Sequence, residues 1–198
     1  MSVDDRILEE EFSRYGLKTS LAIESRLSLY IRELQHWNRT VNLTSLRGAT
    51  LVRRLVVEPL WIGRKLQMSG SLADIGSGNG SPGIPLYVGC DLRTVHLVEA
   101  RTRRAAFLRH VAAKMGGGGI LVHKARMEDI QTIEPVEWIT LQAVTPSGSL
   151  MASLRRLFQP TTRVVWITAR SETPARSAFR IRIPGSSTEA WVFEMDQF

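Results

Sequence analysis

The stretch that decides the fold is Ala73–Pro85, ADIGSGNGSPGIP, in which four glycines and two prolines follow directly on an apolar run. A strand, a glycine-rich turn and a helix in succession present backbone N–H groups and a helix N-terminus to a ligand. Because Gly76, Gly78 and Gly80 have no Cβ, the chain can turn tightly there and a ligand can lie against the backbone. We therefore predict a cofactor-binding loop.

Two classes of cofactor fit this loop. A Gly-x-Gly-x-x-Gly pattern begins at Gly78 and matches the dinucleotide fingerprint, whose pyrophosphate requires unopposed N–H donors. Asp74 precedes the loop, and a carboxylate there suits S-adenosylmethionine, which is cationic at its amino-acid end. Glu99, at the end of the next predicted strand, would bind the ribose hydroxyls of either cofactor. Asp74 favours S-adenosylmethionine, with S-adenosylhomocysteine as the product.

Short apolar or β-branched runs alternate with helical stretches from residue 70 onward, which predicts a parallel sheet wound by right-handed crossovers. The last two runs are separated by only six residues, too few for a crossover helix, so they predict an antiparallel hairpin. A parallel sheet closed by a hairpin is typical of methyltransferases that use S-adenosylmethionine. The predicted strands lie at 72–76, 94–100, 120–124, 136–141, 162–169, 178–183 and 190–195.

The segment before residue 70 differs, because its apolar residues recur at helical spacing. It predicts helices at 3–15, 20–38 and 49–67, the last kinked or entered near Pro59. The expected fold class is therefore α/β, a Rossmann-like class I methyltransferase fold. Its mostly parallel seven-stranded sheet ends in the C-terminal hairpin, and a small helical N-terminal region precedes it. We expect a helical cap at 1–68 and an S-adenosylmethionine-binding methyltransferase domain at 69–198.

The charge of the chain indicates a polyanionic partner. The net charge is +7, and residues 101–182 hold 14 Lys or Arg against 5 Asp or Glu. Most of the basic residues are arginine, whose fork-shaped guanidinium suits bidentate contacts with phosphate. RNA is the most plausible such partner, although a basic surface without a ligand has the same composition.

Other classes of protein are disfavoured by composition. No apolar run approaches the roughly 20 residues of a membrane span, and the acidic N-terminus does not resemble a signal peptide. Cys90 is the single cysteine and the four histidines are scattered, so we predict no metal site. We expect a cytoplasmic protein that does not bind membranes and is a monomer.

Three motifs give the chain a specific resemblance. They are DIGSGNGSPGIPL at 74–86, WNRTVNLTS at 37–45 and LVEARTRRAAFLRHV at 97–111. Together they closely resemble the bacterial small-subunit ribosomal RNA guanine-N7 methyltransferases, also called the glucose-inhibited division protein B family, from about residue 20 to 170. The resemblance implies S-adenosylmethionine-dependent methylation of guanine N7, with ribosomal RNA or the small ribosomal subunit as partner.

The resemblance also implies roles for individual residues. The family's cofactor contacts fall on Gly76 and Ser81 in the loop, and on Met127 and Glu128, whose backbone groups would hold the adenine. Arg126 matches a family arginine that lines the site, and is therefore a candidate catalytic residue.

The chain departs from the family pattern on the expected substrate side. A family arginine that reaches the active site is replaced by Gln142, which the resemblance places beside both the cofactor and the catalytic centre. The family's His-x-x-Asp-Ser pattern is replaced here by residues 54–58, in which Arg54, Val57 and Glu58 stand at the patterned positions. The family's Lys-Gly pair after the fifth strand is replaced by a sequence that contains Arg170. These changes leave open an alternative, a divergent paralogue that binds S-adenosylmethionine or RNA with a different substrate or without turnover.

Overall fold

The protein is described by a computed structural model that covers residues 2–116, 118–130, 133–142, 144, 148–169 and 179–194. The strands are β1 (Ser69–Ile75), β2 (Asp91–Val98), β3 (Ile120–His123), β4 (Trp138–Gln142), β5 (Arg163–Ala169), β6 (Phe179–Arg182) and β7 (Thr188–Glu194). The α-helices are α1 (Val3–Arg14), α2 (Leu21–Trp37), α3 (Gly48–Val52), α4 (Glu58–Lys65), α5 (Gly83–Gly89), α6 (Thr102–Lys114) and α7 (Gly148–Leu154).

All seven strands form one sheet in the order β3-β2-β1-β4-β5-β7-β6. Strands β1 to β5 are parallel to one another, whereas β7 runs antiparallel between β5 and β6. This arrangement confirms the predicted α/β fold with a mostly parallel sheet and a C-terminal antiparallel hairpin. The strand order reverses between β1 and β4, and ligands of such sheets bind in the crevice beyond the carboxyl ends of the strands at that point.

The N-terminal helices pack on one face of the sheet. In α2 the residues Leu27, Tyr30, Ile31 and Leu34 follow the helical repeat and are fully buried. Burying each such side chain stabilises the fold by about 1.5–3 kcal/mol. They belong to a hydrophobic cluster that also includes apolar residues of β1, β2 and β7. The predicted division of the chain between residues 68 and 69 stays a prediction.

The predicted helix at 49–67 is continuous but changes its winding before Pro59. Residues 53–57 form a π-helical turn between α3 and α4, in which the Glu58 N–H donates to the Arg53 carbonyl five residues back. Proline has no N–H to donate to the preceding turn. The chain stays helical on both sides of the wider π-helical turn. The predicted kink near Pro59 is therefore this turn, just before the proline, and the helix is not interrupted.

A second hydrophobic cluster covers the opposite face of the sheet. It contains Ile75 and Val98 from the strands, Leu150 and Leu154 from α7, and Met127 from a short 3₁₀ turn. The sheet is thus covered on both faces, as parallel strands require. Among the described residues, no helix is both long enough and apolar enough to cross a membrane.

Candidate functional site

The predicted site residues meet at one edge of the sheet. Ile75 of β1 pairs with Val98 of β2 and with Leu141 of β4, while Val98 pairs with His123 of β3. Four strands therefore end at the same level. The glycine loop, Glu99, the 124–129 segment and Gln142 all follow directly at this edge.

The glycine loop uses its own amides to hold its shape. The N–H groups of Gly76 and Ser77 both donate to the Val98 carbonyl, at 2.9 and 3.0 Å. The Gly78 N–H donates to Glu99 Oε2 at 2.9 Å. The start of the loop is thus tied to the end of β2, and these three amides are not free for a ligand.

The amides in the second half of the loop also donate hydrogen bonds within the protein. The Gly80 N–H donates to the Ser77 carbonyl at 2.6 Å, and the Ser81 N–H donates to Asn79 Oδ1 at 3.0 Å. A pyrophosphate needs several unopposed N–H donors, and five amides between residues 76 and 81 are already engaged within the protein. The loop geometry therefore disfavours the dinucleotide interpretation that the glycine pattern left open.

The three loop glycines are required by their backbone conformation. Gly76, Gly78 and Gly80 have φ values of 74°, 51° and 93°, in the region that L-residues rarely adopt. A Cβ on Gly76 would lie 2.7 Å from Cγ2 of Val144, whereas one on Gly78 would meet nothing closer than 3.5 Å. The Gly78 position is the part of the loop that a ligand can approach.

Glu99 is a buried carboxylate with 6% of its surface exposed. Its Oε1 accepts the Arg101 N–H at 2.7 Å, in addition to the Gly78 N–H on Oε2. The side chain therefore fixes the loop against the start of α6. It lies at the end of β2, where the sequence predicted a ribose-binding carboxylate.

Asp74 lies beneath the loop, with 1% of its surface exposed. Its Oδ1 accepts the hydroxyl of Thr140 at 2.7 Å. Its Oδ2 is buried against the start of α5, where the Gly83 N–H is nearby but forms no well-aligned hydrogen bond with it. Burial raises the pKa of this carboxyl to about 6, although the Thr140 hydroxyl and the nearby Gly83 N–H oppose the rise. An unsatisfied buried oxygen costs free energy, so a cationic or N–H donor from a ligand would be favourable here.

Tyr30 connects the N-terminal helices to the loop. Its hydroxyl donates to the Asn79 carbonyl at 2.9 Å, and its ring is fully buried. Burial and the charge of Asp74 raise its pKa above the ordinary value. The helical spacing of α2 predicts only that Tyr30 is buried; the signal that could have revealed this contact is that a buried tyrosine hydroxyl usually has a hydrogen-bond partner.

The predicted adenine-binding segment is a 3₁₀ turn at Met127–Asp129. The Met127 side chain is buried, whereas Arg126 and Glu128 are exposed. Arg156 follows α7, and its Nη2 donates to the Met127 carbonyl at 3.1 Å. From its sequence, Arg156 is one of a group of arginines expected to contact phosphate, whereas in the structure it holds this turn in place from another part of the chain.

Gln142 is the last residue of β4 and is half-buried. Its Oε1 accepts the Ser81 hydroxyl at 3.5 Å, so two predicted site residues meet across the crevice. This edge of the sheet thus joins Gln142 to Ser81 and Glu99 to Gly78, while the Met127 turn follows β3 at the same edge.

Two of the departures from the family pattern, Arg54 and Glu58, contact each other. Glu58 is buried, burial raises its pKa, and it accepts a long hydrogen bond of 3.4 Å from the Tyr15 hydroxyl. Arg54 lies 3.5 Å from Glu58 Oε2 and donates to the Ser187 hydroxyl at 2.9 Å. Ser187 precedes β7, at the same edge of the sheet as the glycine loop. Arg170 lies outside the described residues.

The histidine side chains form no hydrogen bond with the glycine loop in the described part of the chain. His96 and His123 contact each other on β2 and β3, with 3.0 Å between Nδ1 and Nε2, and His110 contacts Glu33 of α2 at 2.8 Å. His36 is exposed near the end of α2. Within the described ranges, no three metal-ligating side chains come together.

Comparison with known proteins identifies relatives along most of the chain. The family model described as rRNA small subunit methyltransferase G (GidB) matches residues 23–182. The chain is 30% identical over 159 residues to ribosomal RNA small subunit methyltransferase G of Wolinella succinogenes, covering 80% of this chain and 82% of that protein. It is 34% identical over 192 residues to the protein of the same name from Granulibacter bethesdensis, covering 92% and 89%.

Solved structures share the fold at lower sequence identity. A mutant of MtNAS in complex with S-adenosylmethionine superposes with a TM-score of 0.62 at 17% identity, covering 98% of this chain and 99% of that one. At this identity the similarity extends to the fold alone.

Proposed function

We infer the activity from one premise, that the chain belongs to the rRNA small subunit methyltransferase G family. We propose that it transfers a methyl group from S-adenosylmethionine to small-subunit ribosomal RNA, at N7 of a guanine. We further propose that it acts as a monomer in the cytoplasm.

The observation that carries this proposal is the chemistry of the glycine loop. Five of its amides are engaged within the protein, and Asp74 beneath it has an unsatisfied buried oxygen. Such a loop has few free N–H donors, and the carboxyl group of Asp74 lies buried directly beneath it. It therefore fits the cationic amino-acid end of S-adenosylmethionine better than a diphosphate.

The remaining residues of the crevice fit the rest of that cofactor. We propose that Asp74 attracts the α-amino group, that Glu99 accepts the ribose hydroxyls, and that the backbone of Met127 and Glu128 binds the adenine. Gly76, Gly78 and Gly80 would let the cofactor lie against the loop. Arg156 supports the adenine side by fixing the Met127 carbonyl.

The reaction requires the protein to align the reacting groups and does not require a general base. Bound S-adenosylmethionine supplies an electrophilic methyl group on a sulfonium. Guanine N7 carries a lone pair and no proton, so no side chain has to remove one. Alignment of the reacting groups alone can lower a barrier by roughly 7–11 kcal/mol.

The acceptor base has to enter the crevice from the RNA. In A-form RNA, N7 faces a deep and narrow major groove that side chains cannot read, so the guanine must lie in a loop or be turned out of its stack. We propose that Gln142 and Arg126 contact this base. Gln142 lies at the tip of β4 beside Ser81, and Arg126 is exposed directly before the Met127 turn.

Two measurements test the function. S-adenosylhomocysteine should raise the melting temperature of the protein, and tritiated methyl should pass to unmodified small-subunit ribosomal RNA and appear as 7-methylguanosine in nucleoside mass spectrometry. Transfer to another nucleoside would refute the assignment to guanine N7. Failure to bind S-adenosylhomocysteine would refute the cofactor.

A second candidate follows from the departures at Arg54 and Gln142. The Arg54 guanidinium is held by Glu58 and Ser187, and Gln142 replaces a family arginine. In this alternative the chain binds S-adenosylmethionine or RNA but has another substrate or no turnover. A Gln142→Arg variant that gains activity where the wild type has none would favour it, whereas wild-type turnover on ribosomal RNA would exclude it.

A further inference from the structure

We propose that a cluster of five arginines beside the glycine loop binds the phosphate backbone of the RNA substrate. This arginine face consists of Arg39, Arg47, Arg101, Arg103 and Arg104. The inference rests on the proposed function, because it assigns one part of the RNA contact to a defined surface of the molecule.

The face is built from two segments far apart in sequence. The connection from α2 to α3 and the start of α6 enclose a shallow depression of about 380 Å³, lined by residues 40–42 and 101–104. Arg39 and Arg47 line a neighbouring depression of about 300 Å³ on the same connection. Consecutive residues of the same connection line both depressions, so the arginines are spread along this segment, which suits a chain-like ligand better than a compact one.

Asn38 holds the connection in a fixed shape. Its Oδ1 accepts the N–H groups of Leu43 and Thr44 at 2.6 and 2.9 Å, and its Nδ2 donates to the Thr44 carbonyl at 2.8 Å. Arg47 Nη1 donates to the Thr44 carbonyl as well. A preorganised surface loses less entropy on binding than a mobile loop would.

Arg104 joins the face to the candidate methyl-transfer site. Its Nη2 donates to the Asn42 carbonyl at 3.5 Å, and its Nη1 lies 3.5 Å from the position of a Cβ on Gly78. The neighbouring Arg101 N–H is held by Glu99. An RNA strand bound on the face would therefore run directly past the open part of the glycine loop.

The charge of the face is not neutralised locally. Residues 34–57 and 100–127 contain no aspartate or glutamate. None of the five arginines forms a salt bridge with a carboxylate in the described part of the chain. The adjacent Glu99 is buried with both oxygens on backbone amides. Four of the five arginines are exposed and Arg104 is half-buried. The hydrogen bonds that Arg47 and Arg104 donate go to neutral backbone carbonyls, so their positive charges remain available for contacts with phosphate.

A double variant tests the face against a matched control. Arg101→Gln with Arg103→Gln removes two charges from the face. Arg93→Gln with Arg163→Gln removes two charges from the amino ends of β2 and β5, at the opposite edge of the sheet. The probe is unmodified small-subunit ribosomal RNA, and its dissociation constant is measured between 50 and 200 mM KCl alongside that of S-adenosylhomocysteine.

The face variant should bind the RNA about tenfold more weakly, as expected for two exposed charge contacts. For the face variant, the slope of the logarithm of the RNA association constant against the logarithm of the salt concentration should be less negative by about 1.4–1.8. Each lost phosphate contact removes about 0.7–0.9 from the magnitude of this slope. Affinity for S-adenosylhomocysteine should not change, and the control variant should match the wild type in all three quantities.

Other results would overturn the proposal. A face variant with the wild-type slope and affinity would exclude these arginines from the interface. Equal competition by poly-L-glutamate and by RNA would exclude a surface selective for nucleic acid. Because binding is measured without turnover, a wild-type protein that binds the RNA through this face but transfers no methyl group would refute the proposed function and not the face.

Discussion

Glu99 Oε2 accepts the N–H of Gly78 at 2.9 Å, and this contact ties the glycine loop to the end of the neighbouring strand. The second oxygen of the same carboxylate accepts the Arg101 N–H at 2.7 Å. A single buried side chain thus fixes both the cofactor loop and the start of the helix that carries part of the arginine face.

Replacement of Glu99 should affect both stability and cofactor binding. In Glu99→Ala the two amides lose their acceptor, and each unsatisfied buried group costs about 1–3 kcal/mol. Glu99→Gln retains one acceptor oxygen and should be less destabilised, while still losing affinity for the ribose. Urea unfolding and calorimetric titration with S-adenosylhomocysteine measure the two effects. Glu10→Ala, on the exposed side of α1, is the control and should change neither.

Asp74 predicts a pH dependence of cofactor affinity. Burial raises its pKa to about 6, so the carboxylate is protonated as the pH falls through that value. Wild-type affinity for S-adenosylhomocysteine should therefore decrease below pH 6. In Asp74→Asn the affinity should be about tenfold lower or more at pH 7.5, as expected for a lost charged hydrogen bond, and should not vary with pH in this range. Equal affinities of the two proteins at pH 7.5 would show that Asp74 does not contact the cofactor.

The same carboxyl affects folding in the opposite sense. A pKa higher in the folded than in the unfolded state contributes stability at low pH, and this contribution is lost as the pH rises through about 6. The wild type loses this contribution between pH 4 and pH 7, whereas Asp74→Asn does not have it. The free energy of unfolding of the variant, relative to that of the wild type, should therefore be higher at pH 7 than at pH 4. Urea titrations at both pH values measure this change.

Gly76 and Gly116 form a matched pair for testing the loop. Their φ values are 74° and 77°, but a Cβ on Gly116 would meet no atom within 4 Å, whereas one on Gly76 would meet Val144 at 2.7 Å. Gly116→Ala should cost about 1–2 kcal/mol for the backbone conformation alone. Gly76→Ala should cost about 1–3 kcal/mol more for overpacking and should weaken cofactor binding. Similar unfolding energies for the two variants would contradict the tight contact at Gly76.

The His96–His123 pair predicts acid sensitivity of one edge of the sheet. Burial and, to a smaller extent, the charge of His123 lower the pKa of His96 to about 4, and burial also lowers the pKa of His123. The neutral pair therefore contributes stability above the unfolded pKa, and that contribution is lost as the pH falls from about 6.5 toward 4.

Asp74 changes the stability with the opposite sign in the same pH range, so the histidine effect is measured as the difference between the wild type and a variant that lacks both histidines. His96→Gln with His123→Gln should be less stable than the wild type at pH 7, because the contact between the rings is lost. The difference should narrow at pH 5, where the wild type has to protonate a buried pair. Urea unfolding at the two pH values measures it, and a constant difference would contradict the lowered pKa values.

The local parts of the fold were predictable because they depend on neighbours in sequence. The period of α2 predicted its buried stripe, and the glycines predicted a tight turn, which the structure forms with positive φ at Gly76, Gly78 and Gly80. Strand limits were less accurate, since β2 begins at Asp91 rather than at residue 94. Strand ends depend on pairing with other strands, which apolar runs alone do not encode.

The sequence by itself determined that a glycine loop follows the first strand, with acidic residues at Asp74 and Glu99, because these positions follow from local pattern. Only the tertiary structure decided the strand order and the use of the loop amides. It also brought Tyr30 to Asn79, Arg156 to Met127 and Arg104 to Asn42. Each of these contacts joins residues separated by at least 29 positions, and packing of the helices on the sheet is what makes such residues neighbours.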